Sequence, residues 1–371
     1  IEGLYGSFEM KNSSRVKTEQ VQGFMDKLKG GDIVSTYSLE RQMLLINDLS
    51  GATVTNAEVL PGKEVGTSDF RITVEPTQAY SGYAILDNYG SKYTGRERVN
   101  VSGTINSISG KGDSLGLSLM QSVNSGLRNG RINYVTPIGY NGLKLDTSVS
   151  ATHYKLAEEF SNLEGKGDTK TVNATLNYPI IKTRDHSLNI TTSYDYKGMI
   201  DVSSGNETQK HIQSLTVSLN DNQKTAIKGK PGQLSSSISL TKGNLSLDSD
   251  YAQSQDDAGI HTKGSYHKVS FSMSHSQFIT SDITLQTSLK AQMSMNKNLD
   301  SSEDFSVGGA YGVRGYSDGE LSGDTGYQFS IEPTYNLPTI ELINHKVSCF
   351  FDTGKVFKND NTFNTDKNER T

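Results

Sequence analysis

Arg314 sits in the tetrad Val313-Arg314-Gly315-Tyr316, at the end of a glycine-rich stretch that opens with Gly308-Gly309. Further along comes Phe350-Phe351-Asp352-Thr353-Gly354. A guanidinium offers a planar fork that grips a carboxylate through two parallel hydrogen bonds, which an ammonium cannot reproduce. The glycines let a loop bend and its backbone approach a wall. In an extended strand Val347, Cys349 and Phe351 share one apolar face, so Ser348, Phe350, Asp352 and Gly354 share the other. An aspartate facing lipid is costly, whereas one facing an aqueous interior needs only water or a partner. The expected chemistry is electrostatic: Arg314 pins a loop tip to Asp352 on a wall, with Tyr316 and Phe350 packed beside the pair.

Nothing comparable points to catalysis. The histidines at 153, 186, 211, 261, 267, 275 and 345 are scattered, mostly beside Ser, Lys or Asp. The best pair, His275 with Ser276, consists of strand neighbours that face opposite sides and cannot form a nucleophile–base contact. No phosphate loop, dinucleotide fingerprint or His-Glu-x-x-His run occurs. The expectation is a protein with no cofactor, no metal and no enzymatic step.

The elements that must position these groups fall into two parts with different periods. Over residues 1–76, Val21, Phe24, Met25 and Leu28 mark a helix ending at Gly30-Gly31, and Leu39, Met43 and Ile46 a second stopped at Ser50-Gly51. Strands are expected at 4–10, 54–60 and around Phe70, Ile72 and Val74, giving a small α+β domain of order β-α-α-β-β. From Thr77 to Thr371 helical periodicity gives way to alternation. Val172, Ala174, Leu176 and Tyr178, for example, interleave with Asn173, Thr175 and Asn177. Thirteen strands are expected: 80–88, 96–108, 114–123, 128–137, 142–155, 168–180, 186–198, 209–220, 233–247, 264–278, 281–294, 326–338 and 345–356. Strands of about ten residues suit tilted membrane staves better than a soluble sandwich. Short turns such as 182–185 alternate with long polar loops such as 156–167 and 248–263, the pattern of an outer-membrane barrel.

Composition agrees. The 371 residues are 33% hydrophobic, with 36 Gly and only 7 Pro. Mean hydropathy is −0.53. No apolar run of about 18 residues exists to form a transmembrane helix, but barrel strands need none. A net charge of −5 without basic blocks leaves no nucleic-acid footprint, and one cysteine, Cys349, excludes an internal disulfide.

At this point the chain resembles the two-partner secretion transporters, the TpsB family of haemolysin secretion/activation proteins, over nearly its whole length. The α+β part resembles a POTRA domain, the second of the family's pair. The run Leu86 to Gly95 is similar to the family's lead into the barrel. Leu299-Asp300-Ser301-Ser302-Glu303, then Gly308-Gly309 and the Val313–Tyr316 tetrad, are similar to the loop the family folds into its pore. Phe350-x-Asp352-x-Gly354 resembles the wall motif that receives it.

The resemblance implies an outer-membrane transporter of Gram-negative bacteria, its POTRA domain in the periplasm. It is expected to be a monomer in contact with outer-membrane lipid, binding an unfolded secreted partner and no nucleic acid. Against the family's sixteen strands, thirteen imply a chain lacking one POTRA domain and truncated at the C-terminus. Substrate capture by strand addition is expected near residues 53–59, with Val54, Leu39 and Met43 marking the region. An insertase of the same superfamily and a passive diffusion porin are the alternatives.

Overall fold

The computed structural model describes residues 3–295, 297–340 and 343–358. The first part forms β1 (Leu4–Asn12), α1 (Thr18–Met25), α2 (Thr36–Asn47), β2 (Thr53–Pro61) and β3 (Thr67–Glu75). β3 is central, parallel to β1 and antiparallel to β2. Its alternation sends Phe70, Ile72 and Val74 into a core completed by Val21, Phe24 and Met25 of α1 and Leu45 and Ile46 of α2. Each such side chain stabilises the domain by about 1.5–3 kcal/mol relative to exposure. Ser35 caps α2, its Oγ accepting the Ser38 N–H. The helix α1 ends at Met25, earlier than its apolar spacing suggests, because Leu28 is buried from the turn that follows.

The second part is one antiparallel sheet. Its first strands are β4 (Tyr80–Asp87), β5 (Arg98–Asn106), β6 (Ser114–Ser122), β7 (Leu127–Pro137), β8 (Lys144–Lys155) and β9 (Lys166–Lys182). β10 (His186–Ser203), β11 (Asn206–Ile227) and β12 (Lys230–Leu247) follow. A helix, α3 (Asp250–Ala258), then interrupts the expected loop 248–263; its signals in sequence are the Ser249 cap and Gly259. β13 (Gly264–Phe278) and β14 (Ile283–Ser294) continue the sheet. After β14 the chain leaves the sheet, and residues 297–324 hold a small hairpin, β15 (Phe305–Val307) and β16 (Leu321–Gly323).

The sheet resumes with β17 (Thr325–Asn336) on β14, and both β18 (Lys346–Ser348) and β19 (Phe351–Phe357) pair with β17. β18 and β19 are one strand in two pieces: Ser348 faces Thr334 and Asp352 faces Ser330 in a single register. The break lies where Cys349 N donates to Pro333 O at 3.1 Å and the proline has no N–H to return. Counted so, thirteen staves lie among the described residues. β4 and β18–β19 are the sheet's two edges and are not paired with each other among these residues.

Side chains separate cleanly by face. Val101, Leu119, Val149, Val172, Leu215 and Leu240 are exposed on the outer face. The opposite face carries a hydroxyl and amide network, with Thr175 Oγ1 to Ser193 Oγ at 2.8 Å, Asn173 to Asp195 at 2.9 Å and Thr216 to Thr241 at 2.9 Å.

The small domain docks against three turns at the end of the sheet opposite the 297–324 loop. Phe24 meets the Tyr140 ring edge-on at 5.7 Å. Lys182 bonds Asp48 at 2.7 Å, and Arg41 Nη2 donates to Pro179 O at 2.6 Å. Ser50 N donates to Gly112 O and Lys17 N to Gly110 O.

Candidate functional site

The segment 297–324 folds back over the polar face of the sheet and touches β10, β11, β12, β13, β14, β17 and β19. Tyr311 near its tip reaches Tyr89, just past the far edge strand β4, ring to ring at 5.8 Å. The sheet therefore curls around this loop, and the polar face is a lumen.

Arg314 is the tip's anchor. Its Nε donates to Asp352 Oδ2 at 2.8 Å and its Nη2 to Asp352 Oδ1 at 2.9 Å, a two-pronged contact. The Arg314 backbone N–H adds a bond to Oδ2 at 3.1 Å, and Ser330 Oγ donates to Oδ1 at 2.7 Å. Asp352 thus accepts four hydrogen bonds, and its side chain is 3% exposed. Two further partners are not evident from the sequence. Arg314 Nη1 also bonds Glu332 Oε2, and Nη2 bonds Ser330 Oγ at 3.2 Å. Glu332 and Ser330 lie on the polar face of β17, a parity visible in sequence; only the β17–β19 register shows that Ser330 stands opposite Asp352. One cation therefore holds two carboxylates, leaving the cluster with a net negative charge.

The motif residues around it have distinct jobs. The Phe350 ring lies under the guanidinium, 3.7 Å from ring centre to Cζ, a cation–π contact. Tyr316 differs from expectation: it is 57% exposed and contributes backbone, its O accepting Gly309 N at 3.0 Å. Val313 is buried against Val307 and Val356, with Phe305 and Leu321 around them. Gly308 has φ +116°, and a Cβ there would lie 2.2 Å from Ser317 O, so no other residue fits. Gly309 has φ +80°. Gly315 faces open space, so packing does not dictate its identity. Gly354 leaves room on the wall for Val307.

A second anchor holds the loop's first arm. Glu303 is gripped by Lys197 at 2.8 Å and Lys268 at 2.9 Å, and Asp300 by Lys210 at 2.8 Å. These lysines come from β10, β13 and β11. Beside them Leu299 fills an apolar cup of Met199, Ile212, Leu245 and Tyr266. Gln292 Nε2 ties the arms together, donating to Glu303 O at 2.9 Å and Asp324 O at 3.1 Å.

In the small domain, Val54, Leu39 and Met43 are half-buried and pack against the core. β2 is nonetheless an edge, paired only with β3, and carries the exposed Val59. His275 lies apart from any such cluster; its Nε2 meets Thr225 Oγ1 at 3.1 Å.

A curled antiparallel sheet with an apolar exterior, a hydroxyl-lined lumen and a long loop pinned inside it defines a transmembrane β-barrel of the outer-membrane type. The family model for haemolysin secretion/activation protein ShlB/FhaC/HecB matches residues 66–366, and the chain belongs to that family. It is 27% identical over 364 residues to the heme/hemopexin transporter protein HuxB of Haemophilus influenzae (strain 86-028NP), covering 97% of this chain and 64% of HuxB. It is 24% identical over 339 residues to the outer membrane transporter CdiB of Dickeya dadantii (strain 3937), covering 88% of this chain and 58% of that protein. The chain thus spans less than two thirds of the length of these relatives. In fold it is similar to CdiB from Escherichia coli, with TM-score 0.79, 21% identity, and coverage of 100% of this chain and 68% of that one. BamA from Haemophilus ducreyi lacking POTRA domains 1–3 gives TM-score 0.62 at 16% identity, covering 96% of this chain and 72% of that one.

Proposed function

We propose that this chain is the membrane-spanning part of a transporter that takes an unfolded partner protein from the periplasm and passes it outward through the barrel. The protein resides in the outer membrane. Residues 1–76 act as a POTRA domain on the periplasmic side, and the described residues from 77 onward belong to the barrel; 359–371 of the expected 77–371 lie outside the described residues. The free edge of β2 offers backbone hydrogen bonds to an extended segment, and the adjacent α2 face supplies apolar contacts. From the relatives only transport carries over: HuxB is named a heme/hemopexin transporter and CdiB an outer membrane transporter. The mechanism needs no catalytic step. Folding of the passenger outside biases its direction of movement.

The observation that carries this reading is the Arg314–Asp352 pair at the tip of an infolded loop. A passive porin needs no α+β domain docked on the turns at one end of its barrel, as Lys182–Asp48 and Phe24–Tyr140 dock this one. The loop is a movable part: closed when pinned, it yields to a polypeptide in transit.

The test is a charge exchange. Arg314→Asp and Asp352→Arg are each expected to abolish secretion of the partner, and the exchanged pair to restore part of it. Because Glu332 would repel a carboxylate introduced at position 314, adding Glu332→Gln should improve the rescue. Normal secretion with either single reversal would overturn the proposal.

A further inference from the structure

The outer face of β5–β9 carries a feature that neither the pinned loop nor the docked domain uses. A groove of about 660 Å³ opens there, on the apolar exterior of the barrel. Its floor is a row running Val101, Leu119, Gly130 and Ala151, register partners across four strands. Gly130 and Ala151 are directly opposite one another, so the wall lacks bulk at that point. The next row, toward the docked domain, is filled by Leu117, Ile132, Val149 and Val172. The result is a notch in the apolar face, bounded on the side of the docked domain by that row.

Toward the opposite end, the same outward parity presents charge. Arg128, His153 and Asp168 stand in one row, and Lys170 borders the notch. Lys155 and Lys166 face each other one step further out. His153 Nδ1 lies 3.0 Å from Asp168 Oδ1 and occupies the acid. Arg128, Lys155, Lys166 and Lys170 have no ion-pair partner among the described residues. A cation on the lipid face costs about 2–4 kcal/mol at the membrane midplane and about 0–1 kcal/mol near the interface. Long basic side chains bury their stems and keep their heads at that interface. Four cations without an ion-pair partner among the described residues, set over an apolar notch, therefore mark the headgroup level and a ligand with anionic head and hydrocarbon tail.

We propose that this surface binds a phosphorylated glycolipid of the outer leaflet, its phosphates between Arg128 and Lys170 and one acyl chain lying along Gly130 and Ala151. The assignment to the outer leaflet rests on the proposed function, which puts the docked domain in the periplasm and this rim on the cell exterior. Cations spread over three adjacent strands, from Arg128 on β7 to Lys166 and Lys170 on β9, fit two phosphates on one rigid sugar head better than the single phosphate of a glycerophospholipid.

The experiment is native mass spectrometry of the full chain in detergent, titrated with purified lipid A and, separately, with phosphatidylglycerol and inorganic phosphate. One lipid A is expected to be retained, preferred by about tenfold over phosphatidylglycerol, a difference of about 1.4 kcal/mol. Arg128→Glu/Lys170→Glu should remove that preference by losing the phosphates, and Gly130→Leu by filling the notch. Heat-modifiable migration in gels shows that each variant is folded. Equal binding of phosphatidylglycerol, displacement by inorganic phosphate, or unchanged retention in both folded variants would overturn the proposal. Failure of the transport reading is seen separately: Gly205→Cys, in a Cys349→Ser background, should react with an impermeant maleimide on intact cells.

Discussion

A methyl group added to Gly354 would lie 2.8 Å from Val307 Cγ1 and 3.0 Å from the Tyr327 carbonyl oxygen. The glycine of the wall motif is thus a seat for the loop's hairpin, and it sits two residues beyond the acid that holds Arg314. Electrostatic pin and steric seat lie on one strand face, so the loop is located by both.

Gly354→Val should lift that hairpin. Overpacking a fitted contact costs about 1–3 kcal/mol, and here the cheaper response is to expel the loop rather than to move a strand. The Arg314–Gly315 bond, whose guanidinium is held on Asp352 in the native protein, is then expected to become a trypsin site. Cleavage at the native rate would show that the hairpin adjusts in place.

The two carboxylates on Arg314 should differ sharply in effect. Asp352 accepts both prongs of the fork and the Arg314 N–H, and is almost fully buried, whereas Glu332 takes one prong and is 24% exposed. Breaking a buried pair costs about 3–5 kcal/mol; with Glu332 still holding the fork, Asp352→Asn should fall at the low end of that range. Glu332→Gln relieves repulsion between two acids and should cost under about 1 kcal/mol. Conductance in planar bilayers is expected to rise with Asp352→Asn and hardly change with Glu332→Gln. Equal effects would mean that the fork does not discriminate between them.

Parity made the pin legible in the sequence, because a period-two strand fixes which side Asp352 faces from local residues alone. Glu332 and Ser330 share that parity, but placing them beside Asp352 needs the register between β17 and β19. The Lys197, Lys210 and Lys268 clasp was less accessible still. Its members come from three strands, and only the sheet order brings them to Asp300 and Glu303. The thirteen strands were legible from alternation. The helix α3 was hidden because Asp250–Ala258 is polar nearly all round and shows only its caps. The docking of the small domain depends on turn residues such as Tyr140 and Gly112, whose partners lie far away in sequence.

Gly23 gives that docking a handle. It lies inside α1, where glycine is about 1 kcal/mol worse than alanine. Yet a Cβ there would stand 2.5 Å from the Tyr140 ring. Gly23→Leu should strengthen the helix and wedge it off the turn. Spin labels on α2 and on the turn after β7 are expected to report a longer, broader distance, and adding Tyr140→Ala should restore the native one. An unchanged distance in Gly23→Leu would show that the ring swings aside and that the remaining contacts suffice.

Asp256 should make the outer loop around α3 sensitive to acid. Burial pushes its carboxyl up, but hydrogen bonds from the Lys263 and Thr262 N–H groups and from Thr262 Oγ1, with the Lys297 charge, outweigh burial and hold it below the usual range. The contacts are short: Thr262 N at 2.6 Å, Thr262 Oγ1 at 2.7 Å and Lys263 N at 3.0 Å. A depressed folded value means that the ordered loop favours the ionised form. Its stabilisation is complete above the unfolded value of about 3.9 and is lost as pH falls through the lower folded one. Pepsin is active across this window, so cleavage between residues 258 and 263 should stay slow down to about pH 4 and accelerate below it. Asp256→Asn removes the charge but keeps the shape, and should be cut readily throughout the range with little dependence on loop protonation. A native loop that opens as pH rises, or a variant as resistant as the native protein, would show that something other than this carboxylate closes the segment onto α3.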